Sequence, residues 1–499
     1  MRFKPRIMLL LLFVPLFFVS SSWAALEIDR GPIYGLLKKA LPFKNLELAG
    51  YLKNETALRT AHGFDEFMKE SNIAQLEAEY KFNDNIQLFT ILRWFYDSVY
   101  DIEDKYSLLV ESKSNQKLQQ PEKQQWLREC YLDLLTDKLD MRLGKQQVVW
   151  GTADGVRILD IVNPLDYTEW TLKDYIDSRI PLWMINAEGK LLMNGQLQLL
   201  LIPDYQPNYY APAGAPFTLR TVQLTALPPT RGTTVSTISQ KPARNFENTK
   251  VGLRWRHIIE GHAFEYTLNY LNTYDFASSA YTDVAPVIMM IGGVPTVIGA
   301  NVFTTRRAER IQVFGGTFSK TITEGVMLPG LGKGWTLRGE LAYISGGAMN
   351  FGIDANAKGT VDVDQYNYVL GFDKSFFTNW QFSFQFIQMW ALQKEKATGF
   401  LKPQYTLLNG ATRGPLDKVE TILTLMLATD FLHEKLKPQI LILYGDDRDW
   451  RISPKVSYEI SDQWLATAGL HFFEGKEQYL NGGQFDKNDQ VFLELKYTF

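Results

Sequence analysis

The strongest constraint on this chain is a period of two that repeats along it and ends at its last residue. Val491, Leu493, Leu495, Tyr497 and Phe499 share one face of an extended segment, and Glu494, Lys496 and Thr498 share the other. Successive strand side chains point to opposite sides, so the pattern reads as a strand with one apolar and one polar face. It recurs upstream. Phe382, Phe384 and Phe386 alternate with Gln381, Ser383 and Gln385, and Tyr366, Tyr368, Leu370 and Phe372 with Asn367 and Asp373. Leu337, Leu341 and Tyr343 oppose Arg338 and Glu340, while Phe264, Tyr266, Leu268 and Tyr270 oppose Glu265, Thr267 and Asn269. A soluble sandwich also alternates, but it buries the apolar face and shows the polar one. Large aromatics on one face and charges on the other, over many strands, call for lipid outside and water inside. The expected fold is all-β, a transmembrane antiparallel β-barrel.

Such a barrel looks soluble on average, which fits a mean hydropathy of −0.17 beside 13% aromatic residues, 24 tyrosines among them. Short turns near 83–85, 136–138, 193–195, 260–262, 378–379, 433–435 and 461–463 alternate with longer segments. These fall near 59–71, 98–124, 151–181, 203–248, 275–306, 345–363, 393–417 and 474–488. Tight periplasmic turns and long extracellular loops give this rhythm; the connection at 321–334 is long for a turn and breaks it. The count is about eighteen strands, or sixteen if the first pair, near 46–58 and 73–82, is irregular. Trp94, Trp126, Trp150, Trp183, Trp335, Trp380, Trp390, Trp450 and Trp464 fall near expected strand ends, where indole rings favour the bilayer interface.

The N-terminus sets the compartment. Arg2, Lys4 and Arg6 precede an apolar run from Ile7 to Val19, and Ser22 and Ala24 are small where signal peptidase requires it. Residues 1–24 are read as a signal peptide and 25–44 as a short periplasmic segment, helical by the spacing of Ile33, Leu36, Leu37 and Leu41. It is either a periplasmic helix or a plug, and the barrel occupies 45–499. Loss of the three signal-peptide cations takes the formal charge from −3 to −6, and no basic patch points to nucleic acid. One cysteine, Cys130, excludes an internal disulfide framework and a cysteine metal cluster. No cofactor or metal site is expected.

A terminal strand ending in Phe499 resembles the signature of bacterial outer-membrane barrels, in which the barrel assembly machinery reads the last strand; this implies the Gram-negative outer membrane. A second resemblance is more local. Gly144, Lys145 and Gln146 open a strand that ends in Trp150 and Gly151. Asp154, the Asn163-Pro164-Leu165-Asp166 turn, and Ser178, Arg179, Pro181, Trp183 and Met184 follow. This resembles a family of proteobacterial outer-membrane proteins known as a domain of unknown function. The resemblance implies location and fold first. Members are associated with inner-membrane exporters of hydrophobic molecules, which implies an exporter as a partner beside the outer-membrane lipids.

From the residues themselves, 151–181 carries Asp154, Arg157, Asp160, Asp166, Asp174, Asp177 and Arg179, mixed charges that can fold inward and narrow a pore. The alternative is that they tie the loop to the wall. With Arg142, Glu265, Arg338, Glu340 and Asp373, five of them (Asp154, Arg157, Asp160, Asp166 and Arg179) form the set of pore-lining or constriction candidates. Strict alternation points Lys145 at lipid, unless a bulge at Gly144 re-aims it or it snorkels. The uncharged run 284–300 reads as an outward loop, an interaction patch or a lid over the barrel mouth. Loop 203–248, with seven of the 21 prolines, reads as extended coil. The five histidines form no HExxH pair, no GxSxG occurs, and His471 faces a lumen without an evident nucleophile. The reading is therefore a non-enzymatic channel or export conduit for hydrophobic or amphipathic small molecules. The alternatives are a closed-lumen scaffold or an outer-membrane hydrolase.

Overall fold

The computed structural model describes residues 31–41, 43–61, 63–64, 66–103, 126–191, 195–211, 214–219, 233–322, 334–350, 360–393, 419–446, 448–475 and 482–499. The expected signal peptide lies outside them. Helix α1, Gly31–Ala40, precedes the barrel. Its first residue lies beside the Tyr497 ring and Gln463, at the rim that carries the short turns.

Eighteen strands form one sheet. In chain order they are β1 Leu46–Arg59, β2 Phe67–Asn83, β3 Ile86–Asp97, β4 Leu127–Leu134, β5 Leu139–Gln146 and β6 Leu182–Leu191. Then come β7 Gly195–Ile202, β8 Lys250–Ile259, β9 Phe264–Tyr274, β10 Arg310–Thr321, β11 Trp335–Asn350 and β12 Thr360–Phe376. The last are β13 Trp380–Gln393, β14 Val419–Ala428, β15 Leu436–Gly445, β16 Trp450–Glu459, β17 Trp464–Glu474 and β18 Gln490–Thr498. Each pairs antiparallel with its sequence neighbours, and β1 pairs with both β2 and β18, which closes the barrel. At the seam Phe499 and Gly50 exchange backbone hydrogen bonds of 2.9 and 3.0 Å. A Cβ at Gly50 would meet the Phe499 ring at 2.6 Å. The count is eighteen and not sixteen, because the first pair is regular over thirteen partners with one shift at Ala57/Leu58.

Register confirms the two faces. Phe382, Phe384 and Phe386 sit opposite Leu427, Leu425 and Leu423, while Gln381, Ser383 and Gln385 sit opposite Ala428, Met426 and Thr424. Gln385 is 1% exposed in the packed interior, whereas Leu268 on the outer face is 61% exposed. An outer surface this apolar needs a nonpolar surrounding.

Three segments differ from the sequence reading. The uncharged run 284–300 is a β-hairpin where a loop was expected: Ser279–Ile291 and Val294–Arg307 pair through a Gly292-Gly293 turn at positive φ. They join Thr233–Gln240 in a three-stranded sheet separate from the barrel sheet, and Ile288, Met290 and Ile291 at its tip are more than half exposed. Pro286 and Pro295 forbid a helix, but their partners Ala300 and Met290 leave the hairpin intact. The described part of 203–248 is not loose coil either, since Tyr205, Phe217 and Leu219 are buried and Thr233–Gln240 is a strand. Trp150 is no interfacial residue: it is 1% exposed inside the barrel, its indole N–H donating to Gln198 Oε1 at 2.8 Å. A buried indole satisfied in this way belongs to a core, not a bilayer girdle.

Candidate functional site

Segment 147–181 leaves the wall between β5 and β6 and folds into the lumen. Val148, Trp150, Val156, Ile158, Leu159 and Val162 pack against the inward side chains of β7, β9 and β11, such as Leu200, Leu271 and Ile344. One side of the lumen is thereby dry, with interdigitated side chains as in a soluble core.

The motif residues are the clasp of this segment. Asn163 Oδ1 accepts from the Val148 N–H at 2.8 Å, and its amide donates to the carbonyls of Gln146 at 3.3 Å and Ile180 at 3.0 Å. One side chain thus ties the exit from β5 to the return into β6. The Pro164 carbonyl accepts from Ile180 N–H at 2.8 Å. Pro181 is buried one residue before β6. Gln146, fully buried, donates to the carbonyls of Arg142, Gly144 and Met184. Gly144 has φ of +141°, and a Cβ there would stand 2.2 Å from the Cys130 carbonyl oxygen, so only glycine fits. The register through Gly144 shows no extra residue, yet Lys145 is 4% exposed and its ammonium donates to the Leu127 carbonyl at 2.7 Å. It neither faces lipid nor snorkels. Gly151 admits the close approach of Asp160 and Glu340, and Trp183 lies exposed on the outer face.

Among the charges, Asp160 and Arg179 form a buried pair with contacts of 2.6 and 2.9 Å, with Arg157 at 3.4 Å. Arg157 also donates to Ser178 Oγ at 2.6 Å. Burial disfavours the Arg157 charge more than Asp160 supports it, which lowers its pKa. These three residues hold the loop together inside its core. Glu340 is 3% exposed and accepts from the backbone N–H groups of Thr152, Ala153 (2.6 Å) and Leu159 (3.1 Å), so it is an anchor and does not line the cavity. Arg338 bridges Asp154 on the loop and Asp373 on β12. Arg142 pairs bidentately with Asp133 at 2.7 and 2.8 Å. Glu265 pairs with Arg256, near the short turn after β8, at 2.6 Å. Of the sequence candidates, Asp154 and Asp166 border open space.

That space is a cavity of about 610 Å³ between the loop and the wall formed by β1–β4 and β14–β18. Asp154, Asp166 and Asp177 face it from the loop. Asp166 is bonded to Lys173 at 2.8 Å; burial would raise its pKa, but Lys173 and Thr168 lower it overall. Burial likewise works against the Asp177 carboxylate, yet Arg93, Arg128 and Lys53 hold its pKa well below the usual range. Sequence reading missed much of this lining: Lys53, Glu55, Lys69, Arg93, Arg128, Glu169, Lys173, Arg451 and Lys455. The signal was present on β16, where Arg451, Ser453, Lys455 and Ser457 alternate with Ile452, Pro454, Val456 and Tyr458. His471 does face the lumen, with Nδ1 2.9 Å from Ser453 Oγ. Among the described residues no group of His, Cys, Asp or Glu could hold a metal ion.

A model of the family described as "Protein of unknown function (DUF1302)" matches residues 70–499. No curated protein matches the chain. Among solved structures, Acinetobacter baumannii OccAB4 is 13% identical, with a TM-score of 0.48 over 91% of this chain and 98% of that one. Pseudomonas aeruginosa OccK8 (OprE) is 9% identical at 0.48 over 92% and 98%. The outer membrane protein OpdK of the same organism is 8% identical at 0.47 over 92% and 99%. Likenesses this remote say nothing of what the lumen admits.

Proposed function

The chain belongs to the DUF1302 family, whose function is unknown, and we propose that it is an outer-membrane channel or export conduit for hydrophobic or amphipathic small molecules. One observation carries the reading: a cavity of about 610 Å³ inside a closed barrel, lined by ionised groups and by Phe95, Leu172, Met426, Leu441, Leu465 and Phe492 together. That size and mixed lining suit a small organic molecule. The apolar outer face, the even strand number and the place of Gly31 and Phe499 at the short-turn rim support an outer-membrane location with that rim in the periplasm. In this reading the partners are outer-membrane lipids, the barrel assembly machinery and an inner-membrane exporter; the barrel is not an enzyme.

A second reading, a closed barrel that holds a surface partner, is favoured by the tight packing of 147–181 in the lumen and by the exposed apolar tip at 288–294. Planar-bilayer recording separates the two. A conduit shows single-channel events, and Asp154→Asn changes their size or ion preference, because Asp154 neutralises Arg338 at the cavity edge. A purified, folded protein without conductance favours the scaffold.

A further inference from the structure

The cavity has one wall whose cations lack counter-charges. On β1–β3 Lys53 has Glu494 at 3.3 Å, Lys69 has Glu55 at 2.6 Å, and Arg93 has Asp177 at 2.7 Å. On β16 the case differs: among the described residues no carboxylate lies within 4.0 Å of Arg451 or Lys455, although both line the cavity. Arg451 is 5% exposed. Its Nε donates to Ser453 Oγ at 3.2 Å, and Nη1 donates to Thr171 O at 2.9 Å and Oγ1 at 2.6 Å. Nη2 has no protein partner among the described residues. Ser453 Oγ, which accepts from Arg451, is also within 2.9 Å of His471 Nδ1.

An unpaired guanidinium out of water is costly, and an anion arriving from outside relieves that cost through charge-assisted hydrogen bonds. Next to these donors the wall is apolar. Phe492 stacks on His471 at 4.8 Å, with Leu441 opposite Ser453 and Leu465 also on the lining. We propose that the β16–β17 wall binds an organic monoanion: its carboxylate sits at Arg451 and Lys455, and its apolar body lies over Phe492, Leu441 and Leu465. The assignment rests on the lumen being a conduit for amphipathic molecules and names the charge they carry.

The test uses the full-length purified barrel in detergent and two probes with the same apolar body, 2-naphthoate and the uncharged 2-naphthamide, titrated calorimetrically. Naphthoate should bind about tenfold tighter than naphthamide or better, and Arg451→Gln and Lys455→Met should each remove about that preference. Naphthamide binding should not move in either variant. Equal binding of the two probes, or equal losses for both, overturns the proposal. So does inorganic phosphate displacing naphthoate at equal concentration, which would make the site one for small anions. The heat-dependent gel shift reports folding; if Arg451→Gln does not fold, Lys455→Met carries the test. Calorimetry is independent of conduction. Naphthoate preference without conductance leaves the site and sinks the conduit, whereas conductance without preference does the reverse.

Discussion

Replacing Glu340 with Ala should release the segment that occupies the lumen. The carboxylate accepts three backbone N–H groups of that segment, from Thr152, Ala153 and Leu159. Thr152 is exposed and can turn to water, but Ala153 and Leu159 are buried. Hydrogen bonds to a charged acceptor contribute about 1.5–3 kcal/mol each, so losing the two buried ones costs about 3–6 kcal/mol of loop anchoring. Other ties, among them Asp154 N–H to Gln385 Oε1 at 3.0 Å, the Arg338–Asp154 pair and the Asn163 clasp, keep the ends in place while the middle loosens. Trypsin then gains access to Arg157 and Lys173, and single-channel conductance rises as the lumen widens. Glu340→Gln keeps one acceptor oxygen and should show a smaller effect. If Glu340→Ala is folded by gel shift yet matches the parent in trypsin resistance and conductance, the anchoring argument is wrong.

Three further outcomes are expected. Burial pushes the Asp275 carboxyl, beyond the end of β9, up to about 7 despite the Ala277 N–H, with Glu309 adding to the rise. A folded-state pKa above the unfolded value means stability that is full below about pH 4 and lost as pH rises towards 7, at most about 4 kcal/mol. Amide protection factors (exchange corrected for its intrinsic base catalysis) around 205–210 and 275–277 should therefore fall from pH 5 to 8, and Asp275→Asn, which keeps the acceptor, should flatten that fall; an unchanged profile refutes the assignment. Asp at Ile288 and Ile291 should leave barrel assembly intact, because both side chains are more than half exposed, and should lower transport or retention of hydrophobic compounds if the tip meets cargo. Wild-type handling of such compounds would remove the hairpin from the pathway. Deleting Phe499 breaks the paired bonds to Gly50 at the seam and should lower the heat-modifiable barrel in outer-membrane fractions; unaltered yield would argue against an assembly role.

What was legible in the chain was what local geometry dictates. Strand side chains alternate whatever the neighbouring strand is, so Phe382, Phe384 and Phe386 could be sent outward and Gln381, Ser383 and Gln385 inward from sequence alone. Helix 31–40 was readable in the same way, from its 3.6-residue spacing. The site was not, because its contacts join residues far apart in the chain. Glu340 caps amides 181 to 188 residues away, and an acidic residue opposite Leu337 and Leu341 carries no local sign of that duty. The charges of 151–181 were visible, but whether each lines space or clamps the loop depends on a lumen that exists only once β18 has met β1. Trp150 and the 284–300 run show the same limit. An indole at a strand end suits a bilayer interface or a core equally well, and an uncharged run with three glycines suits an open loop or a hairpin. Which one forms is decided by where the barrel leaves apolar surface to be covered, and that is a property of the closed sheet, not of the segment.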